Sequence, residues 1–206
     1  MKLYHLSSGP LRVNTYFLVN ETTGEAVCID GGENYKLIKR TEEQYGFKIL
    51  HLLLTHAHFD HAGNAARIQA DGAKVYISAI DAPKLTNGGT LAENFGRKFE
   101  ALTADVLFSD GQKLCLCDID IEVIATPGHT DGSLTFRTGN MLFTGDTLFL
   151  ESVGRTDFPT GDRAEIIRSV HKLFDLTGDY DVYPGHEEFT TLSHERKYNL
   201  FSDVDV

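Results

Sequence analysis

Ile49-Leu50-His51-Leu52-Leu53-Leu54-Thr55-His56-Ala57-His58-Phe59-Asp60-His61 is the stretch on which the reading of this chain turns. Residues 49–54 form its strongest short apolar run, interrupted only by His51, and predict a buried strand. Three imidazoles and a carboxylate follow within six positions, at the strand end, where sites on such sheets tend to form. Imidazole and carboxylate together suit zinc, iron, manganese or nickel. Alternate positions of an extended turn point to one side. His56 and His58 can then meet one metal, while Asp60 and His61 turn toward a second.

Outward from this stretch, strands are predicted over 3–6, 12–19 and 25–30, the last ending at the turn Asp30-Gly31-Gly32. A helix is expected over 34–45, with Leu37 and Ile38 inward. Another covers 62–70, and a strand covers 73–78. Residues 80–104 contain Pro83, Gly88, Gly89 and Gly96 and read as a helix with a flexible insertion. The second half repeats the plan. Short strands fill 105–125, and a hairpin joins 133–137 to 141–144 across Gly139-Asn140. The helix 162–176 opens on Asp162 with Glu165 and repeats Ile166, Ile167, Val170, Leu173 and Phe174 at helical spacing. A final strand ends at Pro184-Gly185-His186, and Lys197, Tyr198 and Asn199 read as a solvated tail. The plan predicts two mixed sheets packed together with helices outside, in one domain over 1–206.

Three more candidates stand directly after predicted strands. They are His129 in Thr126-Pro127-Gly128-His129, Asp146 in Thr144-Gly145-Asp146, and His186 in Pro184-Gly185-His186. Glycine precedes each, which lets the backbone turn sharply and carry the side chain into a shared cleft. His5, His51, His171 and His194 lack such a setting and read as surface or satisfied core histidines.

With these residues in view, the chain resembles the metallo-β-lactamase superfamily over essentially its whole length. His56 to His61 match the His-x-His-x-Asp-His motif, and His129, Asp146 and His186 match its later single ligands in order. The resemblance implies an α+β (α/β-type) fold, the four-layer αββα sandwich. It carries His56, His58 and His129 to a first metal and Asp60, His61 and His186 to a second, with Asp146 bridging both. Thr144-Gly145-Asp146-Thr147-Leu148-Phe149 and Gly154-Arg155-Thr156-Asp157-Phe158 resemble the glyoxalase II-like, hydroxyacylglutathione hydrolase-like branch. Only twenty residues follow His186, too few for the helical domain of glyoxalase II proper, so the likeness is to the short single-domain members. Those usually have Gly after the last ligand, where this chain has Glu187 and Glu188.

The implied activity is a metal-dependent hydrolase, a thioesterase acting on a small acyl thioester by a metal-bridged hydroxide. Asp60 would orient the nucleophile. Two zinc ions are the expected cofactor, with one iron or a Zn/Fe/Mn mixture as alternatives. Arg155 is a candidate for holding a substrate anion bidentately, against the plainer reading of an Arg155–Asp157 pair that braces the loop. A rival of the same fold is a persulfide dioxygenase using one iron on residues matching His58, His129 and Asp146, a two-His, one-carboxylate set. A nuclease is less favoured.

Composition supports these exclusions. The net charge of -11 disfavours non-specific nucleic-acid binding, which depends on Lys and Arg. A metal can still attract an anionic substrate locally. No apolar run approaches a membrane span, and no signal peptide is visible, so a secreted β-lactamase proper is not expected. Cys28, Cys115 and Cys117 are too few for a disulfide framework and imply a cytoplasmic protein. Cys115 and Cys117 read as two buried small hydrophobes on one strand face. The expected partner is a small-molecule substrate, with neither nucleic acid nor membrane.

Overall fold

Each half of the chain builds a sheet. In the computed structural model, which describes residues 1–204, the first sheet holds β1 (Lys2–Ser8), β2 (Val13–Val19), β3 (Glu25–Ile29), β4 (Lys48–Leu53), β5 (Lys74–Ser78) and β6 (Val106–Phe108), side by side in that order. β1 to β3 pair antiparallel, and β3 to β6 run parallel. The second half supplies β7 (Lys113–Leu116), β8 (Ile119–Ala125), β9 (Leu134–Thr138) and β10 (Met141–Gly145). A small hairpin of β11 (Leu148–Phe149) and β12 (Ser152–Val153) follows, and then β13 (Asp181–Pro184) and β14 (Thr190–Thr191). The second sheet runs β14-β13-β10-β9-β8-β7, with β10 and β13 parallel.

The helices are α1 (Tyr35–Tyr45), α2 (Phe59–Ala62), α3 (Ala65–Ala70), α4 (Lys84–Asn87), α5 (Arg163–Phe174) and α6 (Leu192–Tyr198). Three apolar clusters define four layers. Phe17, Cys28, Leu52 and Val75 pack outward against Ile38 of α1 and Ile68 of α3. Tyr16, Leu18, Val27 and Leu53 face the other way and meet Ile121, Val123, Phe136 and Phe143 of the second sheet. Ile124, Leu142 and Val182 cover that sheet's far face with Val170 and Leu173 of α5 and Leu192 of α6. β2 is buried at every position because its alternating side chains enter two different cores.

Local chemistry explains the helix limits. Asn34 caps α1 by accepting from the Leu37 amide, and Gly46 ends it in the left-handed region. Asp162 caps α5 through the Glu165 amide, and Ile166, Val170 and Leu173 fall on its buried stripe. Each such buried side chain contributes roughly 1.5–3 kcal/mol.

The expected αββα sandwich is the observed fold, and five local readings are corrected. The helix expected over 62–70 is two short helices, broken at Gly63-Asn64. Asn64 Nδ2 donates to the carbonyls of Gly31 and Gly32, a tertiary tie that a continuous helix would not allow. Asp60 and His61 thus sit on α2 and not in an extended turn. Residues 80–104 hold α4, a short 3-10 turn at Glu93–Phe95 and irregular chain. The C-terminal stretch is α6 in place of a solvated tail. Its Asn199 is buried, donating to Ser152 O and Glu195 Oε2, while Lys197 and Tyr198 are exposed. Cys115 is exposed and Cys117 lies past the end of β7 with φ 52°, so they are not a buried pair. Among the described residues, no helix is long and apolar enough to cross a membrane.

Candidate metal centre

Seven side chains meet where the ends of both sheets converge. β4 delivers His56 and His58 through Leu54-Thr55, and His58 is the extended N-cap residue of α2, which carries Asp60 and His61. β8, β10 and β13 of the second sheet deliver His129, Asp146 and His186. Their ligand atoms fall into three overlapping groups, each within 4.8 Å: His56–His58–His129, His56–His61–Asp146 and Asp60–His61–His186. The first and third are the sets that the resemblance implies for two metals, and Asp146 reaches both. Its Oδ2 is 3.4 Å from His129 Nε2 and 3.6 Å from His186 Nε2.

The remaining ring nitrogens show which atoms face inward. His129 Nδ1 donates to the Arg155 carbonyl at 2.7 Å, and His186 Nδ1 donates to the Leu11 carbonyl at 2.9 Å. His61 Nδ1 donates to Asp30 Oδ2 at 2.7 Å. Thr55 Oγ1 donates to the same carboxylate at 2.9 Å and takes the Nδ1 proton of His56 at 3.1 Å. Those four imidazoles therefore aim bare Nε2 lone pairs at the cluster. Asp30 is almost fully buried and sits at φ 58°, a left-handed conformation that turns its carboxylate back under His61.

A cation is what this arrangement lacks. His56 Nε2 and Asp146 Oδ1 are buried without a hydrogen-bond partner, a cost of about 1–3 kcal/mol each unless something binds them. His61 Nε2 and His186 Nε2 lie 3.3 Å apart, and His129 Nε2 is 2.9 Å from His58 Nδ1. Each pair brings lone pairs together unless a proton or metal lies between them. Burial, with His61, His58 and His129 adding, holds His56 well below the usual histidine range. Burial beside His129 takes His58 down to about 3. Burial opposes charge at His61 too, yet Asp146, Asp30 and Asp60 hold it well above its usual value. Burial would raise Asp146, but His61, His186 and His129 hold it well below the carboxylate range. Neutral imidazoles and ionised carboxylates are the donor set of a divalent metal site, and the residues present fit one.

The cluster is the floor of a cavity of about 800 Å³. Leu91, Phe95 and Phe158 form an apolar wall beside His58, whose ring centroid is 5.8 Å from that of Phe158. Arg12, Glu187 and Glu188 line another part. The Arg155 side chain lies flat on Phe158, 3.8 Å from the ring centroid, and grips Asp157 through two hydrogen bonds of 2.7 and 2.6 Å. Its carbonyl, not its guanidinium, touches the ligand set.

The sequence reading passed over three residues here. Asp30 was part of a turn, and its signal was a carboxylate at the end of the strand beside β4. Asn14 donates to the carbonyls of Pro184 and Glu187 at 3.0 and 3.1 Å, fixing both sides of His186. His5 lines the cavity and bonds to Asn14 Oδ1 at 2.9 Å. The other three histidines set aside are satisfied elsewhere, by Tyr76, Phe201 and Glu151.

Comparison with known proteins agrees with this geometry. A family model described as the metallo-beta-lactamase superfamily matches residues 8–186. The chain belongs to the metallo-β-lactamase superfamily. It is therefore a superfamily metal-dependent hydrolase with a His/Asp metal-binding cluster. It is 35% identical over 196 residues to hydroxyacylglutathione hydrolase GloC of Haemophilus influenzae, covering 91% of this chain and 92% of that one. Among solved structures, the BLEG-1 B3 metallo-beta-lactamase superposes with a TM-score of 0.92 at 30% identity, covering 98% of this chain and 100% of that one. TTHA1623 in a di-iron-bound form gives 0.86 at 32% identity, over 96% of this chain and 99% of that one.

Proposed function

We propose that this superfamily member is a two-metal thioesterase acting on a small acyl thioester. The observation that carries the reading is the ligand geometry: two triads of inward-facing donors joined by Asp146 at the floor of an open cavity. Zinc is the proposed metal. The first ion belongs to His56, His58 and His129, and the second to Asp60, His61 and His186. Two such ions would supply Lewis acidity and lower the pKa of a shared water from about 15.7 toward 7.

The chain's own residues supply the rest. Asp30, Thr55 and the carbonyls of Leu11 and Arg155 fix the tautomers of four ligands before metal arrives. Asp60 Oδ2, 3.3 Å from His186 Nε2, is placed to ligate and to orient the attacking water. The Leu91–Phe95–Phe158 wall suits an apolar acyl portion and excludes water there. A thiolate leaves without proton assistance, so the reading needs no further general acid. The likeness to GloC, whose name denotes hydroxyacylglutathione hydrolysis, supports a thioester. Arg155 is committed to Asp157, so any help it gives an anionic substrate requires that pair to open.

The di-iron form of TTHA1623 makes iron the alternative occupant. The proposal extends to a small-molecule partner in a reducing cytoplasm, with neither nucleic acid nor membrane bound. The test is metal per chain in protein purified without chelator, followed by a panel of acyl thioesters and one β-lactam. Two ions and thioester turnover are expected. Two ions with turnover of the β-lactam alone would overturn the thioesterase reading. One iron, with oxygen uptake on glutathione persulfide, would replace it with a dioxygenase.

A further inference from the structure

The rigid backing of the first three-histidine group comes from a residue outside every motif. Asp81 is fully buried in the irregular segment after β5. Its Oδ2 accepts the Ala57 N–H at 2.8 Å, the amide between His56 and His58. The same oxygen accepts the Thr130 hydroxyl at 3.0 Å, from the residue directly after His129. One carboxylate thus joins the ligand loop of the first sheet to a ligand loop of the second. Its other oxygen pairs with Lys84, which also pairs with the exposed Asp131. Gly132 packs so tightly on Asp81 that a side chain there would meet both Asp81 and Ser78. That leaves no room for water to replace the tie.

We infer that Asp81 is a positioning residue that sets the spacing of His56, His58 and His129 and so the metal affinity of that group, without touching metal or substrate. The inference rests on the two-metal reading above. An ordinary buried ion pair would stabilise the fold without regard to which group is filled. Asp81 instead contacts only the loops of the first group. Asp30 plays the matching part under His61, and no hydrogen bond or ion pair joins the two aspartates among the described residues.

The test separates the two groups. In a His186→Ala background the three-histidine group is the better site, and in a His58→Ala background the Asp60–His61–His186 group is. Zinc affinity is measured in each by competition with a chromophoric chelator. Asp81→Ala should weaken binding about 10- to 100-fold in the first background and leave it unchanged in the second. Equal weakening in both would show a general brace and overturn the inference, as would no change in either. If Asp81→Ala does not fold, the near-isosteric Thr130→Val cuts only the tie to the His129 loop and decides in the same way, with a smaller loss. Wild-type protein that binds no zinc or iron would remove the two-metal reading itself. Wild-type protein with two ions and no selective effect would remove only the role of Asp81.

Discussion

Gly185 lies against the metal cluster, and adding one methyl group there tests the two-metal geometry directly. A Cβ at this position would press into Asp146 Oδ1 and lie 2.6 Å from His61 Cε1, where ordinary contact begins at 3.4 Å. The backbone cannot retreat easily, because Gly185 N donates to the Gly145 carbonyl at 2.8 Å and its own carbonyl accepts from Asn14 N at 2.7 Å. The two ligands must therefore yield by about 0.8 Å or rotate away. Metal–ligand distances tolerate only about 0.2 Å. Overpacking of this size costs the fold about 1–3 kcal/mol. Gly185 is not in the left-handed region, so alanine recovers about 0.4–1 kcal/mol by restricting the unfolded chain.

Gly185→Ala should thus melt, metal-free, within several degrees of wild type, since 1 kcal/mol moves a domain of this size by about 2–4 °C. Its metal content should fall from two ions toward one or none, and thioester turnover should fall with it. Elemental analysis and thermal unfolding of the chelator-treated protein make the measurement. A variant that keeps two ions and wild-type turnover would show that Asp146 and His61 do not hold metal as argued.

Other substitutions probe other parts of the site. Asp146→Ala should lose metal and activity together, and full zinc occupancy by elemental analysis would count against the bridge. Arg155→Ala keeps the carbonyl that orients His129, so metal content should be unchanged; loss of the first ion would show that the Arg155–Asp157 pair holds the loop. Phe95→Ala should lower kcat/KM up to about tenfold for a long acyl chain, some 1.4 kcal/mol of apolar contact, while sparing an acetyl thioester. Equal loss on both would refute the apolar wall. Partial burial would raise the pKa of Asp110, but the Ala125 N–H and Lys172 outweigh it and hold it below the ordinary range. Its contribution to stability is therefore complete above about pH 4 and lost as pH falls through the folded value. The stability gap between wild type and Asp110→Asn should close toward acid, and a constant gap would refute the assignment.

The ligand set was legible because its chemistry is local: His56 to His61 are contiguous, and each later candidate follows a strand and a glycine. Gly128 shows why the glycine is needed, with φ 134° and no room for a Cβ against the Ile166 backbone. The supporting residues were not legible because their partners are distant in sequence. Asp30 acts on a residue 31 positions away, Asn14 on one 170 away, and Asp81 on one 49 away. No local period marks such contacts. The break between α2 and α3 was hidden for the same reason, since Asn64 bonds back to Gly31 and Gly32. α6 was missed because seven residues show too little periodicity, and its capping hydroxyl on Thr191 resembles any turn threonine.

How many ions this site prefers follows from its lone pairs. All three converging groups draw on His56 or His61. A single ion on His58, His129 and Asp146 would use neither. His56 Nε2 would stay buried without a partner, and the Nε2 lone pairs of His61 and His186 would still face each other at 3.3 Å. Each unsatisfied group costs about 1–3 kcal/mol, and one proton between His61 and His186 relieves only the second. An ion on His56, His58 and His129 removes the first cost, and one on Asp60, His61 and His186 removes the other. The tautomers are already fixed for that outcome by Thr55, Asp30 and the Leu11 carbonyl. The energetic balance of the ligands therefore favours two ions over one, whichever metal supplies them.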